Sequence, residues 1–199
     1  MATATETPPP KVWTTEDLLA LPDDGVERWI INGQLREKPS ELPGATMTVR
    51  NRHHSKIMAR VTGAILAWND TRPNPRGEVY CGEAGVRLPG RDHTVGVDVV
   101  YVTPDVVAVQ DDDTTTMIDG VPTLVVEILS PNDTLVQVEE KIDAYRDAGV
   151  PLIWIVSVHH RTVTLHRPGQ EPELFNVTHT MPESSHMPGF APPVATLFG

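Results

Sequence analysis

Cysteine is nearly absent from this sequence of 199 residues, in which Cys81 is the only one. A single cysteine excludes a disulfide within the chain, and it excludes a zinc site built from cysteine thiolates. Stable disulfides belong to oxidising compartments, so their exclusion favours a reducing compartment. We therefore expect the protein to be cytoplasmic.

Long apolar runs are also missing. No stretch approaches the roughly 20 consecutive apolar residues that a membrane-spanning helix needs. The first residues, MATATETPPPKVW, contain no apolar run and reach their first basic side chain only at Lys11, so they do not resemble a signal peptide. We expect no membrane association, and we expect a disordered tail over residues 1–12 ahead of a single domain over residues 13–199.

Basic residues are few, with 16 Lys and Arg against 27 Asp and Glu and a formal net charge of −11. Because contacts to phosphate groups need Lys and Arg, this balance argues against nucleic-acid binding. The argument weakens if cationic side chains are segregated onto one surface, or if a bound metal ion adds local positive charge. The sequence has no P-loop and no dinucleotide fingerprint, so nothing in it argues for a nucleotide cofactor.

The sequence does contain the pattern of a mixed α/β domain. Apolar residues recur at steps of three and four through residues 50–70, which predicts a long helix. A capping box formed by Thr134 and Gln137 opens a second helix that ends at Gly149. Apolar strands lie between and after these helices. Their order favours a mixed sheet with helices packed against it.

Several finer expectations follow from the same patterns. Asn32-Gly33 predicts an N-terminal hairpin over residues 26–39, and residues 161–177 predict a C-terminal hairpin extension. Residues 78–82 and 84–90 are expected to form two short strands separated by glycine. In the second helix, the apolar stripe predicts four buried side chains, Leu135, Val138, Ile142 and Tyr145.

Two carboxylates interrupt strands that are otherwise apolar. Glu127 lies in VPTLVVEIL, residues 121–129, and Asp98 lies in VGVDVVYV, residues 95–102. Burying an unpaired carboxylate is costly, so each needs a cation, a metal ion, a proton or an opening to solvent. Two acids on neighbouring strands are typical ligands of a hard divalent cation such as Mg²⁺ or Mn²⁺. Either acid alone is equally well explained by an arginine or a backbone N–H partner.

Lys141 is the third candidate residue. It falls about 80° from the centre of the apolar stripe between Ile142 and Tyr145, so its ammonium can reach a carboxylate at a strand end. Two acids, a divalent cation and a lysine suit phosphodiester hydrolysis, which needs an activated water and positive charge at the transition state. A lysine at this position, taken alone, is more typical of a helix surface.

The run GVPTLVVEILSPND, followed by Lys141 in a capped helix and then by YRDAGVPLIWIV, resembles the Uma-two family, whose members are labelled restriction endonucleases. The N-terminal hairpin VERWIINGQLREKP resembles the same family. The likeness extends from about Trp13 to the C-terminus and is most specific over residues 121–156. It implies the PD-(D/E)xK nuclease-like superfamily and its restriction-endonuclease-like mixed β-sheet flanked by helices.

The resemblance also implies roles for individual residues. The catalytic residues would be Asp98, Glu127 and Lys141, and the ligands of Mg²⁺ or Mn²⁺ would be Asp98, Glu127 and Glu27. The implied substrate is DNA. Many members of the superfamily carry the lysine two residues after the glutamate, where this chain has Leu129, so here the lysine would have moved to the helix.

The sequence leaves other functions open. A catalytically inactive module for self-association or partner binding would keep the same residues as a structural salt bridge, and the acidic net charge favours this alternative. Metal-dependent hydrolysis of a smaller phosphate compound is a third function. We also expect a homodimer, with FAPPVATLF, residues 190–198, as a candidate contact. His53 and His54 are candidates for contact with the site or with a phosphate, although a helix-face or capping role is the commoner case near a helix N-terminus.

Overall fold

The computed structural model describes residues 11–38, 51–90, 92–110, 116–131 and 133–199. Within these ranges the elements are, in chain order, α1 (Thr15–Leu19), β1 (Arg28–Ile31), β2 (Gln34–Glu37), α2 (Arg52–Asn69), β3 (Glu78–Leu88), β4 (His93–Val102), α3 (Pro104–Val107), β5 (Ile118–Asp119), β6 (Leu124–Leu129), α4 (Leu135–Asp147), β7 (Leu152–Ser157), β8 (Thr162–His166), β9 (Glu173–Asn176) and α5 (Val194–Phe198). Of the helices in these ranges, none combines the length and the apolar character needed to cross a bilayer. The predicted disordered tail lies outside the described residues, except for Lys11 and Val12.

In the described part of the chain, all strands join one mixed sheet. Its main path runs β2-β1-β4-β6-β7-β8-β9, while β3 pairs with β4 and β5 pairs with β3. The pairs β6–β7 and β3–β5 are parallel, and the other neighbours are antiparallel. Helix α4 connects the parallel strands β6 and β7, as expected for a crossover. The predicted mixed sheet flanked by helices is therefore confirmed.

The N-terminal hairpin forms where the sequence predicts it. Asn32 and Gly33 have φ values of 51° and 68°, which a two-residue type I′ turn requires. Beyond the paired strands, the Lys38 N–H donates to the Glu27 carbonyl at 2.9 Å. The hairpin therefore carries an acid and a base next to each other at its open end.

Strand β3 is one continuous strand, so the prediction of two short strands is wrong. The register with β4 shifts between Cys81 and Ala84, where Gly82 and Glu83 have positive φ values of 91° and 63°. The glycine thus permits a bulge rather than a break. The bulge turns Glu83 across β4, and a Cβ atom at Gly96 would lie 2.9 Å from Glu83 Oε2.

Helices α2 and α4 cover opposite faces of the sheet. Because successive strand residues point to opposite faces, Val125 and Val126 contribute to different cores. The α2 core contains Ile57, Val61, Ile65, Trp68, Val99, Val126 and Trp154. The α4 core contains Trp29, Val100, Val125, Ile142, Ala144, Tyr145 and Ile153.

Leu135 is 72% exposed, so its prediction as a buried residue is wrong. It is the first residue of α4, and burial along this helix begins at the half-buried Val138 and becomes full at Ile142. The apolar stripe therefore meets the sheet only after the first turn of the helix.

The C-terminal segment packs into the core on the α2 face. Its buried side chains are Met181, Met187, Phe190, Val194, Leu197 and Phe198. Helix α5 lies against α2. The large apolar side chains of FAPPVATLF, Phe190, Val194, Leu197 and Phe198, are thus buried within their own chain, which contradicts the prediction that this segment offers a dimer contact.

Replacing Leu197 with alanine is expected to destabilise the fold by about 2–5 kcal/mol, because the side chain is fully buried. Leu135→Ala removes the same atoms from an exposed position and should change stability by less than about 0.5 kcal/mol. Urea unfolding of both variants measures the difference. Equal, small effects would show that the C-terminal segment is not part of the core.

Candidate functional site

The site lies at a fork in the sheet. One edge of β4 pairs first with β1, through Ile30 and Thr94, and then with β6, starting at Val99 opposite Val126. Asp98 lies on β4 between Thr94, which pairs with β1, and Val99, which pairs with β6. On β6, Glu127 comes directly after Val126. Continuing the antiparallel register by one step sets Asp98 opposite Glu127. The divergence of β1 and β6 therefore opens the sheet at the two carboxylates.

Asp98 is 3% exposed and is held mainly by two donors. Its Oδ2 accepts a hydrogen bond from the Ile128 N–H at 2.8 Å. The His54 Nε2 lies 3.2 Å from Oδ2 and 3.1 Å from Oδ1. No donor within the described residues is aligned for a hydrogen bond to Oδ1. One buried carboxylate oxygen is therefore left with capacity for a further partner.

The environment of Asp98 favours its ionised form. Burial alone would raise the pKa of this carboxyl, but hydrogen bonding and charge from His54, the Ile128 N–H and the charge of Lys141 bring the pKa below its ordinary value. Asp98 is therefore a carboxylate at neutral pH.

His54 reaches Asp98 from the first turn of α2. Asn51 caps this helix, and its side chain accepts from the His53 N–H at 2.8 Å. His54 continues the buried stripe of Ile57 and Val61, so it faces the sheet while His53 faces solvent. Of the roles that the sequence leaves open for His54, the structure shows contact with the site, made from the buried face of the helix. The three-residue step from His54 to Ile57 is the sequence feature that indicates its position on the buried face of the helix.

Lys141 of α4 contacts Glu127 on the face of the sheet opposite to α2 and His54. The Lys141 Nζ lies 3.1 Å from each carboxylate oxygen of Glu127 and donates to the Gly96 carbonyl at 3.0 Å. The Tyr145 hydroxyl also donates to Glu127. Both side chains of the ion pair are 12% exposed. Tyr145, predicted only as a core residue, is thus also a hydrogen-bond donor to the site.

Burial and the neighbouring charges together set the protonation of this pair. Burial, together with the nearby charges of Asp98 and Glu83, raises the pKa of Glu127 to about 7 although Lys141 opposes the shift. Burial works against the ammonium of Lys141, but Glu127, Glu83 and Glu27 raise its pKa above the ordinary value. Lys141 is therefore charged at neutral pH.

Glu27 lies on the wall of the same pocket. Lys38 Nζ is 3.3 Å from Glu27 and 2.8 Å from Asp133, so this lysine joins the N-terminal hairpin to the loop after β6. The charge of Glu27 acts on Lys141. Its role as a metal ligand stays a prediction.

The pocket is open to solvent and has an internal volume of about 40 Å³. Its ionisable lining residues are Glu27, Lys38, His54, Glu83, Asp98, Glu127, Asp133 and Lys141. Within the described ranges, no three His, Cys, Asp or Glu side chains are grouped closely enough to hold a metal ion between them. The structure thus brings Asp98, Glu127 and Lys141 to one pocket, and their catalytic and metal-binding roles stay predictions.

The raised pKa of Glu127 makes stability depend on pH. The folded protein holds this proton up to about pH 7, whereas the ordinary value is 4.5. The free energy of unfolding should therefore fall by about 3 kcal/mol as the pH rises through that window. Glu127→Gln removes this dependence, so it should gain stability relative to the unmodified protein as the pH rises.

Urea unfolding with EDTA between pH 4.5 and pH 8 measures this difference, and all other titrating groups are common to the two proteins. A difference in stability that stays constant across the range would show that the pKa of Glu127 is not raised.

Comparison with known proteins identifies a family match and a similar solved structure. A family model, Uma2, described as "Putative restriction endonuclease", matches residues 15–196. A search of curated proteins finds no match. The crystal structure of a "putative nuclease belonging to DUF820" from Anabaena variabilis ATCC 29413 is similar, with a TM-score of 0.75, 21% sequence identity and coverage of 93% of this chain and 97% of that one. At this identity the structural likeness concerns the fold. Since the family model spans almost the whole sequence, the chain belongs to the Uma2 family of restriction-endonuclease-like proteins.

Proposed function

We propose that this protein is a metal-dependent nuclease that hydrolyses phosphodiester bonds of DNA. The observation that carries the proposal is the meeting of Asp98, Glu127 and Lys141 in one pocket at the fork of the sheet. Family membership and the likeness to a nuclease fold support the same reaction class.

The donor set fits a divalent cation. Asp98 Oδ1 is buried and accepts no hydrogen bond from the described residues, and Glu127 is crowded by other acids. Hard cations bind such carboxylate oxygens and keep water at their remaining positions. Mg²⁺ or Mn²⁺ bound by Asp98 and Glu127 would supply an acidified water and positive charge for the phosphate.

Lys141 acts as a fixed positive charge in this proposal. Its pKa is raised by the surrounding acids, so its Nζ stays protonated and does not serve as a general base at neutral pH. Its Nζ lies 3.1 Å from both oxygens of Glu127, donates to the Gly96 carbonyl and places a positive charge on the pocket wall. The ammonium stabilises the negative charge that develops on the phosphate oxygens.

His54 and Tyr145 hold the two carboxylates from opposite faces. His54 faces both oxygens of Asp98, and the Tyr145 hydroxyl donates to Glu127. The pKa of Tyr145 is raised well above its usual range by burial and by Glu127, so the hydroxyl keeps its proton. These contacts fix the orientation of the acids before substrate arrives.

A non-catalytic module is the second candidate. The specific observation in its favour is that Glu127 already has Lys141 and Tyr145 as partners, which is sufficient for a structural ion pair. The net charge of −11 also favours it. Under this alternative the pocket residues stabilise the fold and bind no metal ion.

The proposed cellular location is the cytoplasm, and the proposed oligomeric state is a homodimer. A cytoplasmic location follows from the single, unpaired Cys81 and gives access to DNA. A homodimer would suit cleavage of both strands of a duplex. Since residues 190–198 are packed in the core, that dimer would use another surface.

Asp98→Asn and Glu127→Gln are each expected to reduce Mg²⁺- or Mn²⁺-stimulated cleavage of duplex DNA by at least about 100-fold, because each removes an anionic oxygen donor. Lys141→Met should lower kcat by about 100- to 1,000-fold through loss of the positive charge. Gel-based cleavage assays with purified protein measure both effects.

Glu140→Gln is the matched control. It removes a carboxylate from the same helix as Lys141, but Glu140 pairs with Arg36 and is not part of the pocket lining. Its cleavage rate should equal that of the unmodified protein. Cleavage that survives in both Asp98→Asn and Glu127→Gln would contradict the proposed site, and a folded protein without metal-stimulated cleavage would favour the non-catalytic module.

A further inference from the structure

Helix α2 has an unusual charge composition. It contains no Asp or Glu in its 18 residues, although the whole chain has 27 acids. Its Lys and Arg residues are Arg52, Lys56 and Arg60, all of which are exposed. Three of the 16 Lys and Arg residues of the chain thus lie on one helix that carries no acidic side chain.

These cations also lack acidic partners. Within the described ranges, none of the three has a carboxylate at ion-pair distance, and Arg60 donates only to the Thr196 carbonyl at 3.3 Å. The other described Lys and Arg side chains, apart from Arg72 and Arg161, are ion-paired: Lys11, Arg28, Arg36, Lys38, Arg76, Arg87, Lys141, Arg146 and Arg167. The charge of α2 is therefore available to an outside anion.

The three cations form a row along the helix. Residues four apart lie on the same side and are separated by about 6 Å along the axis, so the row extends over about 12 Å. That length matches three to four successive phosphates of one strand, at about 3.4 Å each along a duplex. The exposed residues between them are His53, Ser55 and Ala59, and the small side chains of Ser55 and Ala59 leave the row accessible.

The row shares the first turn of α2 with a residue of the pocket, because Arg52 and His54 both lie in that turn. His54 lies between Arg52 and Lys56 in sequence, and its ring contacts Asp98 on the buried side of the same helix. The positive end of the helix dipole lies at this N-terminal turn and adds to the charge of Arg52. The cations project from the opposite side of the helix to His54, so an anionic chain bound along the row reaches the pocket by passing over this N-terminal turn.

We propose that Arg52, Lys56 and Arg60 bind the backbone phosphates of the nucleic-acid strand that enters the pocket. This inference rests on the proposed nuclease function and adds where the substrate docks. The net charge of −11 argues against binding of a polyanion. The inference answers this objection, because the three cations lie outside the acid-lined pocket and can attract phosphate groups there. A lipid surface fits less well, because the exposed positions within the row carry no large apolar side chain to insert.

The test is the salt dependence of DNA binding by the double variant Arg52→Gln/Lys56→Gln. Fluorescence anisotropy with a labelled 20-base-pair duplex, in EDTA to prevent cleavage, gives the slope of log affinity against log salt concentration. Loss of two phosphate contacts should reduce that slope by about 2. In Mg²⁺, KM should rise while kcat stays unchanged.

The control is Arg76→Gln/Arg87→Gln, which removes the same charge from two exposed arginines already paired with Asp70 and Glu16. It should keep the slope of the unmodified protein. Equal losses in the two double variants, or no loss in the α2 variant, would overturn the inference. Preference of the unmodified protein for phosphatidylserine vesicles over DNA would overturn it as well.

The outcomes separate this inference from the proposed function. DNA binding that depends on α2, in a protein that cleaves nothing, would refute the hydrolysis and leave the docking surface. Metal-stimulated cleavage that depends on Asp98, with unchanged DNA affinity in the α2 variant, would refute the docking surface alone.

Discussion

The burial of Asp98 and Glu127 beside each other is the constraint on which the rest of the structure depends. Two carboxylates at the fork of a sheet repel each other and lose hydration, so the surrounding chain must compensate both effects. Lys141 and Tyr145 do so for Glu127, while His54 and the Ile128 N–H do so for Asp98. The compensation is incomplete, because the pKa of Glu127 is still raised to about 7.

The side chains that compensate the two carboxylates come from helices on both faces of the sheet. Helix α4 delivers Lys141 and Tyr145 from one face, and α2 delivers His54 from the other, because the fork lets side chains of adjacent strands approach either helix. The remaining negative charge supports the proposed binding of a divalent cation in the pocket. It also explains why cations that attract a phosphate chain would need to lie outside the pocket, as those of α2 do.

The sequence predicts the principal acids because each interrupts an apolar strand, and it predicts Lys141 because helical phase sets its direction. It also predicts the hairpin turn and the mixed sheet. The sequence leaves the role of His54 open, because a histidine at a helix N-terminus has several common roles that local sequence does not separate. Leu135 and the C-terminal segment were assigned wrongly for a related reason, since burial depends on where the sheet ends and on which long-range partner covers an apolar residue.

Anomalous X-ray diffraction from crystals grown with Mn²⁺ tests the central claim most directly, because it locates the metal without relying on activity. The account predicts a manganese peak between Asp98 and Glu127, on the side of Asp98 Oδ1. Ordered crystals that show no such peak, with both oxygens of Glu127 still held by Lys141, would contradict the account and favour a structural ion pair.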